Sequence, residues 1–196
     1  MKADWVSAKI DSVNPKTWKR INRPHRDLDF KKILEGIRQF AKEFKGIFVT
    51  ETMLIRDIND KPEEMRQTAE FIGKLEPRHA YLLIPTRPPA ESWVKPPDEE
   101  RVTEAYYIFR DHFQTVTLLI DFPTESIPVV SHLEDELLAI TSVHPVRKED
   151  LEKMIRQAEA DKEVVHRLIS ENKLMETHYE GNTFYVRRSE ERRVGK

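Results

Sequence analysis

The segment Ala80–Glu91 reads AYLLIPTRPPAE, an apolar run of strand length that stops at a group of prolines. Proline has no backbone N–H to donate to a neighbouring strand, so a strand is predicted from Ala80 to Thr86. Arg87 lies where this strand gives way to a loop. In proteins built from repeated strand–helix units, the loops after the strands carry most of the binding and catalytic side chains.

Similar strand-length segments occur on both sides of this one. Residues 4–11 alternate, with Val6, Ala8 and Ile10 on one side and polar residues on the other, which predicts a strand. Ile47–Ile55 is rich in β-branched residues and predicts a buried strand, and residues 115–120 predict a fourth. The chain therefore alternates strands with intervening segments of helical character.

The segments between these strands have helical spacing of apolar residues. A short helix is predicted over residues 15–21, and a longer one over residues 30–44, with Asp29 as its cap and Gly46 ending it. Asp60 is predicted to cap a third helix with Pro62 in its first turn, and Asp98 a fourth that runs to about Phe113.

Three consecutive strand–helix units with short connections predict parallel strands joined by right-handed crossovers. In such α/β proteins, ligands bind at the carboxyl ends of the strands. This rule selects a set of polar residues as candidates for a site: Lys9, Asp11, Glu51, Thr52, Asn59, Asp60 and Arg87.

Composition limits the chemistry that these residues can perform. The 196 residues include 33 basic and 35 acidic side chains, so no global field favours nucleic acid or a membrane. There is no cysteine, which excludes disulfides, a thiolate nucleophile and a cluster held by this chain's own thiolates. The histidines show no metal-ligand spacing, and no metal site is predicted. Without a signal peptide or a membrane-spanning run, a cytoplasmic location is expected.

A change of composition marks a second region. Residues 1–121 form the α/β part, and residues 122–131, with two prolines, are predicted to be a linker. Residues 132–188 predict three helices followed by a hairpin whose turn is YEGN, residues 179–182. Three helices and a two-stranded wing are typical of a winged helix-turn-helix domain. Residues 189–196 form a charged tail.

Several short motifs, in order, resemble the carboxy-terminal half of a radical S-adenosylmethionine (SAM) enzyme barrel. They are KID at residues 9–11, INRPH at 21–25, TETML at 50–54 followed by Asn59-Asp60, and PTRPPAE at 85–91. The segment LAITSVHP, residues 138–145, and the winged helix after it resemble an extension found in one branch. That branch is the iron–sulfur oxidoreductases grouped with tRNA wyosine-base synthases.

The resemblance implies a (β/α)6 partial TIM barrel. It also implies a [4Fe-4S] cluster, held by three cysteines of a CxxxCxxC loop, that cleaves SAM to a radical. This chain departs from the family because that loop and the first strands are absent. The chain is therefore expected to be a fragment of a longer protein or a truncated gene product, inactive alone. Its expected partner is the missing half of the barrel, or a second copy that covers the open sheet edge.

In this family, polar residues at the ends of the later strands help to hold SAM and substrate. The resemblance gives this role to Ser7, Lys9, Asp11, Glu51 and Arg87. The alternatives are structural: a Lys9–Asp11 pair that fills the barrel mouth, and an Arg87 guanidinium that ties down carbonyls of the proline-rich loop. Asn59 and Asp60 fit a turn and a helix cap better than they fit ligands.

A different class of function is a binding module in which the winged helix contacts RNA, DNA or a protein partner. The cations that would face nucleic acid are Lys162, His166, Arg167, Arg187 and Arg188. Residues 132–196 nevertheless carry 12 basic and 14 acidic side chains, which is a poor balance for phosphate binding. A protein-contact or domain-packing role is favoured. A third possibility, an acid–base enzyme using Lys9, Asp11 and Glu51, has no fixed geometry in the sequence.

Overall fold

The computed structural model describes residues 3–113, 115–119, 133–143 and 145–188. Within these residues the chain forms two compact units. The first unit holds the described residues up to 85 and from 91 to 119, and the second holds residues 86–90 and 133–188. The predicted linker, residues 122–131, and the predicted charged tail, residues 189–196, lie outside the described residues. No described helix is both long enough and apolar enough to cross a bilayer.

The first unit is built on a four-stranded parallel sheet, as predicted. Its strands are β1 (Trp5–Lys9), β2 (Ile47–Met53), β3 (His79–Leu83) and β4 (Val116–Leu119), and they lie in the order of the chain, β1-β2-β3-β4. Lys9 is in register with Glu51, and Glu51 with Tyr81. The carboxyl ends of all four strands therefore lie along one edge of the sheet.

Four helices connect and follow these strands: α1 (Pro15–Asn22), α2 (Phe30–Glu43), α3 (Pro62–Gly73) and α4 (Glu99–Arg110). The predicted cap of α2 is confirmed, because Asp29 Oδ1 accepts hydrogen bonds from the Lys31 and Lys32 amides at 2.9 and 3.1 Å. Asn14 caps α1 in the same way, with the Lys16 amide 2.9 Å from its Oδ1. These side chains satisfy N–H groups that have no partner within the helix.

The apolar core of the first unit lies on one face of the sheet. Alternate strand residues, including Val6, Ala8, Phe48 and Leu82, pack with apolar side chains of α2, α3 and α4. The covering side chains include Leu34, Ile37 and Phe40 of α2, Met65, Ala69 and Ile72 of α3, and Ala105 and Phe109 of α4. We call this the covered face. The residues between them, including Ser7, Lys9, Glu51, His79 and Tyr81, point to the other face, which we call the open face.

Three predicted helix termini differ in detail. Asp60 does not cap α3, because the helix begins one residue later, with Lys61 at the cap position and no side-chain cap bond. Asp98 precedes α4 as predicted, but its carboxylate does not cap the helix and instead pairs with Arg56 Nη2 at 2.6 Å.

Gly46 does not end α2, since the chain leaves the helix in an extended conformation at Phe44. A Cβ at Gly46 would lie 2.5 Å from the Asp4 carbonyl oxygen. The adjacent Ile47 amide donates to the same oxygen at 2.8 Å. Gly46 therefore allows the close approach of the first two strands, which is a different reason for glycine at this position.

The second unit contains three helices and a small antiparallel sheet. They are α5 (Leu133–Val143), β5 (Val146–Arg147), α6 (Lys148–Gln157), α7 (Glu163–Ser170), β6 (Leu174–Tyr179) and β7 (Asn182–Arg187), with strand order β5-β7-β6. The predicted hairpin is confirmed, and Glu180 and Gly181 at its tip both have positive φ. The short strand β5 was not predicted. Leu137, Met154, Leu168 and Leu174 lie in the core of this unit.

Candidate functional site

The open face of the sheet carries the polar residues that the sequence selected. Ser7 and Lys9 on β1 and Glu51 on β2 share this face, and Asp11 follows β1 at the carboxyl edge. Helices α2, α3 and α4 pack on the covered face, so these side chains are not buried beneath them. The structure therefore brings together four of the five predicted site residues.

Ser7 and Glu51 form the first polar pair of this site. Ser7 Oγ donates a hydrogen bond to Glu51 Oε1 at 2.7 Å, across neighbouring strands. Both side chains are half-buried. The sequence alone did not determine which face of the sheet Glu51 points to. The structure places it on the open face. Its second carboxylate oxygen has no hydrogen-bond partner among the described residues and is available to a ligand.

Lys9 and Asp11 form the second pair. Lys9 Nζ lies 3.4 Å from Asp11 Oδ2, and the lysine side chain is 53% exposed whereas that of Asp11 is completely buried. The Met53 amide donates to Asp11 Oδ1 at 2.9 Å. Burial raises the pKa of the Asp11 carboxyl above its ordinary value of 3.8, although the nearby Lys9 charge and the Met53 N–H act in the opposite direction. Asp11 thus anchors the edge, and Lys9 presents the accessible charge.

Asn59 has a structural role that joins the ends of two strands. Its amide nitrogen donates to the carbonyl oxygens of Asp11 and Met53 at 2.7 and 2.8 Å, and its Oδ1 accepts the Ile55 N–H at 2.8 Å. Both of its amide donors and one acceptor position bond the backbone in this way, which agrees with the predicted turn role. Thr52 Oγ1 similarly donates to the Ile10 carbonyl at 2.8 Å. Both side chains are 2% exposed and bond the backbone, so they do not face a ligand.

The open face also contains an aromatic group that the sequence analysis missed. His79 and Tyr81 on β3 stack with their ring centroids 4.5 Å apart. His79 Nε2 lies 2.7 Å from Thr117 Oγ1 on β4. Both rings are half-buried and continue the polar row that begins at Ser7. The alternation of these residues with the buried Ala80 and Leu82 is the sequence signal that places them on the open face.

Arg87 belongs to the second unit. Its side chain is half-buried and makes no hydrogen bond or ion pair within the described part of the chain. The predicted alternative, a guanidinium that ties down loop carbonyls, is fulfilled by another residue, since Arg147 Nη2 lies 3.5 Å from the Thr86 carbonyl oxygen. Arg87 therefore remains a predicted ligand residue without a structural partner.

Most of the cations predicted to face nucleic acid in the second unit are already paired within that unit. Arg167 pairs with Glu134, and Arg187 donates to the Leu138 carbonyl at 3.3 Å. Arg188 donates to the side chain of Asn172. Lys162 and His166 are exposed on and beside α7. Of these contacts, the Arg167–Glu134 pair neutralises a positive charge, whereas Arg187 and Arg188 bond neutral oxygens and keep theirs.

The described residues contain no group of three histidine, aspartate or glutamate side chains arranged to hold a metal ion. Cysteine is absent from the whole sequence. A [4Fe-4S] cluster, whose irons are ligated chiefly by thiolates, does not fit this set of residues. The open face is instead suited to polar contacts with an organic ligand.

No known family model matches this chain. It is 38% identical over 186 residues to a UPF0026 protein of Methanocaldococcus jannaschii. The aligned region covers 94% of this chain and 58% of that protein. It is 31% identical over 124 residues to the GTPase Obg of Brachyspira hyodysenteriae, covering 63% of this chain but 18% of that protein. The chain thus spans little more than half of the first relative and a small part of the second.

Two solved structures show partial similarity. One is a domain of a pyruvate-formate lyase-activating enzyme from Bacteroides vulgatus, with 20% identity and a TM-score of 0.48 over 59% of this chain and 67% of that one. The other is a radical SAM methyltransferase from Sphaerobacter thermophilus, with 18% identity and a TM-score of 0.46 over 58% of this chain and 33% of that one. Both TM-scores are below 0.5, so neither structure is used to assign a role to a residue of this chain.

Proposed function

We propose that this chain is the carboxy-terminal part of a radical SAM oxidoreductase of the branch grouped with tRNA wyosine-base synthases. In this proposal the open face is one side of a barrel interior that binds SAM and substrate, and the chain is inactive alone. The observation that carries the proposal is the row of polar side chains on the open face, next to the carboxyl edge of a parallel sheet. The motifs at residues 9–11, 21–25, 50–54 and 85–91 support the choice of family.

The topology of the sheet favours part of a barrel. A doubly wound sheet reverses its strand order and carries helices on both faces. Here the strands lie in chain order and the helical core lies on one face. In a (β/α) barrel the helices form an outer ring and the opposite face of every strand lines the interior. Ser7, Glu51 and Tyr81 would then point into the barrel.

The SAM part of the proposal assigns roles to individual side chains. The exposed ammonium of Lys9 suits the carboxylate of SAM, and the free oxygen of Glu51 suits a ribose hydroxyl or the amino group. Ser7 and Asp11 would position these two residues through the contacts at 2.7 and 3.4 Å. Arg87 would bind a carboxylate or phosphate of the substrate. The cluster would be held by cysteines outside this chain.

The proposal also names partners. In the described residues β1 pairs only with β2, so its other edge is available to a further strand. We assign this edge to pairing with the rest of the barrel. In the isolated chain the same edge would pair with a second copy. We also propose that the assembly is cytoplasmic. We further propose that the second unit is a winged helix used for protein contact rather than for RNA, because residues 132–196 carry 12 basic and 14 acidic side chains and Arg167 is paired with Glu134.

Anaerobic cluster reconstitution tests this function. The chain is prepared alone and together with the portion of the Methanocaldococcus jannaschii relative that it does not cover. We expect no stoichiometric iron in the chain alone and about four iron atoms per complex when the remaining portion is present. SAM binding should appear only in the complex.

Two lysine variants of the complex test the SAM site, one at the site and one, as the matched control, away from it. Lys9→Met should leave the iron content of the complex unchanged and weaken SAM binding about tenfold or more, because the carboxylate loses its cationic partner. Lys42→Met, at an exposed lysine of α2, should change neither quantity. Iron bound stoichiometrically to the chain alone, or a complex that never acquires iron, would contradict the proposal.

A further inference from the structure

A second candidate site lies in the first unit, away from the residues of the open face. A cavity of about 400 Å³ is formed where the segments that follow β1, β2 and β3 meet. Its walls include Arg20 of α1, Arg56 and Asp57 after β2, and Trp93 and Lys95 after β3. This volume is in the range of small-molecule binding pockets. None of these residues was selected from the sequence as a ligand residue.

The cavity has an excess of positive charge. Three of its lining side chains are cationic, and one, Asp57, is anionic. Arg56 is paired with Asp98 at 2.6 Å. Arg20 and Lys95 have no carboxylate partner among the described residues. With Arg56 paired to Asp98, the charges of Arg20 and Lys95 still exceed that of Asp57, and a net positive charge in a concave site favours an anionic ligand.

The walls of the cavity are held in place by contacts within the unit. The Arg20 guanidinium lies over the Trp93 ring, 5.0 Å from its centroid, and Trp93 Nε1 donates to Glu91 at 3.2 Å. Glu91 also pairs with Arg23. Across the cavity, the Arg56 amide donates to the Lys95 carbonyl at 3.0 Å, and Arg56 Nε to the Pro96 carbonyl at 2.9 Å. A pre-organised site binds with a smaller entropic loss.

The segment that supplies Arg20 adds to this charge pattern. Residues 12–26 contain five lysines and arginines and no aspartate or glutamate, although the whole chain is slightly acidic. Part of this segment forms α1, whose last turn contains Lys19 and Arg20. Arg20 is the residue of this segment that lines the cavity, and Arg23 is paired with Glu91. The segment therefore adds a positive local background to the charge of Arg20.

We propose that this cavity binds a phosphate group of an anionic ligand. The fork of the Arg20 guanidinium matches two phosphate oxygens, Lys95 supplies a second cationic contact, and Trp93 closes one wall. The cavity exceeds the volume of a phosphate ion, so the phosphate belongs to a larger molecule. This proposal concerns residues outside the open face and does not depend on the function proposed for that face.

The indole N–H of Trp93 provides a direct probe. In a ¹⁵N-labelled sample, the three tryptophan indole signals are assigned with Trp93→Phe and followed during titration with pyrophosphate at constant ionic strength. We expect the Trp93 signal alone to shift in a saturable manner, with a Kd below about 1 mM. Arg20→Gln and Lys95→Gln should each weaken binding about tenfold.

The controls separate a specific site from general charge effects. Arg78→Gln and Lys42→Gln remove exposed cations elsewhere in the same unit and should leave the titration unchanged. A parallel titration with a single-stranded oligonucleotide distinguishes the source of the phosphate: displacement of pyrophosphate indicates a polymer backbone, and no displacement indicates a small ligand. An unshifted Trp93 signal, or equal weakening by all four variants, would overturn the proposal.

Discussion

The two faces of the four-stranded sheet differ in burial and polarity although both come from the same strands of four to seven residues. On the covered face, Phe48, Ala80 and Leu82 are almost completely buried against helices. On the open face, Ser7, Glu51 and Tyr81 occupy the alternate positions and remain half-exposed. The difference shows that the helices account for the stability of only one face, and that the other face keeps polar groups accessible.

This contrast separates scaffold from site. Burial of apolar side chains stabilises the covered face by roughly 25 cal/mol per Å² removed from water. On the open face Val49, between Ser7 and His79, is 2% exposed, but Trp5 and Ile47 are 52% and 42% exposed. Exposed apolar side chains beside polar ones are typical of a surface that a ligand or a partner covers.

Two adjacent leucines on β3 provide the sharpest comparison, because their side chains point to opposite faces. Leu82 is 1% exposed and lies in the core, whereas Leu83 is only half-buried and lies outside it. Leu82→Ala should reduce the free energy of unfolding by about 2–5 kcal/mol. Leu83→Ala should cost less than half as much. Urea unfolding of both variants measures this, and equal losses would contradict the division between the faces.

Asn59 links the strand ends on which the site depends. Asn59→Ala removes three hydrogen bonds at a residue that is 2% exposed, so the unfolding free energy should fall by about 2–4 kcal/mol. Gln67→Ala, at an exposed amide side chain of α3 that bonds Glu63, should cost less than about 0.5 kcal/mol. Thermal unfolding compares the two. If Asn59→Ala lowers the unfolding free energy as little as Gln67→Ala does, the three hydrogen bonds of Asn59 do not stabilise the strand ends.

The Ser7–Glu51 pair on the open face should contribute less. Ser7→Ala removes one half-buried hydrogen bond, and water can replace it at Glu51, so the expected loss is about 0.5–1 kcal/mol. Ser92→Ala, at an exposed serine of the same unit, serves as the control and should be close to neutral. A loss above about 2 kcal/mol for Ser7→Ala would place this pair in the scaffold.

The smallest effect is a change in the pH dependence of stability. Because burial raises the folded-state pKa of Asp11 above 3.8, ionising this group costs more in the folded than in the unfolded protein. The wild-type chain should therefore lose stability relative to Asp11→Asn as the pH rises from about 3.8 through the folded pKa. Urea unfolding of both proteins from pH 4 to 7.5 measures the difference. A difference that moves in the opposite direction would mean that the Lys9 contact outweighs burial.

The strands and most helices were predictable because their signals are local. Alternation in residues 4–11 and helical spacing in residues 30–44 depend only on neighbours in the sequence, as does the cap formed by Asp29. The roles predicted for Gly46 and Asp98 were wrong because the actual roles depend on residues distant in the sequence. Gly46 is required by the backbone of Asp4, and Asp98 is drawn to Arg56.

The site was partly predictable for the same reason. The rule that ligands bind at the carboxyl ends of parallel strands selected Lys9, Asp11 and Glu51, and these lie together. It could not reveal that Asp11 is buried or that Asn59 bonds three backbone groups, since both facts arise from packing between separate strands. The cavity around Arg20 and Lys95 was missed because three separate loops form it.

Hydrogen exchange at the edge of β1 tests most directly whether the open face belongs to an incomplete barrel. Because the Ile10 amide donates to Glu51, the alternation of a parallel strand directs the Ser7 and Lys9 amides towards the free edge. We predict fast exchange at these amides in this chain and strong protection at the aligned positions of the full-length Methanocaldococcus jannaschii relative, with β3 protected in both proteins. Equal exchange of the β1 amides in the two proteins would contradict the account.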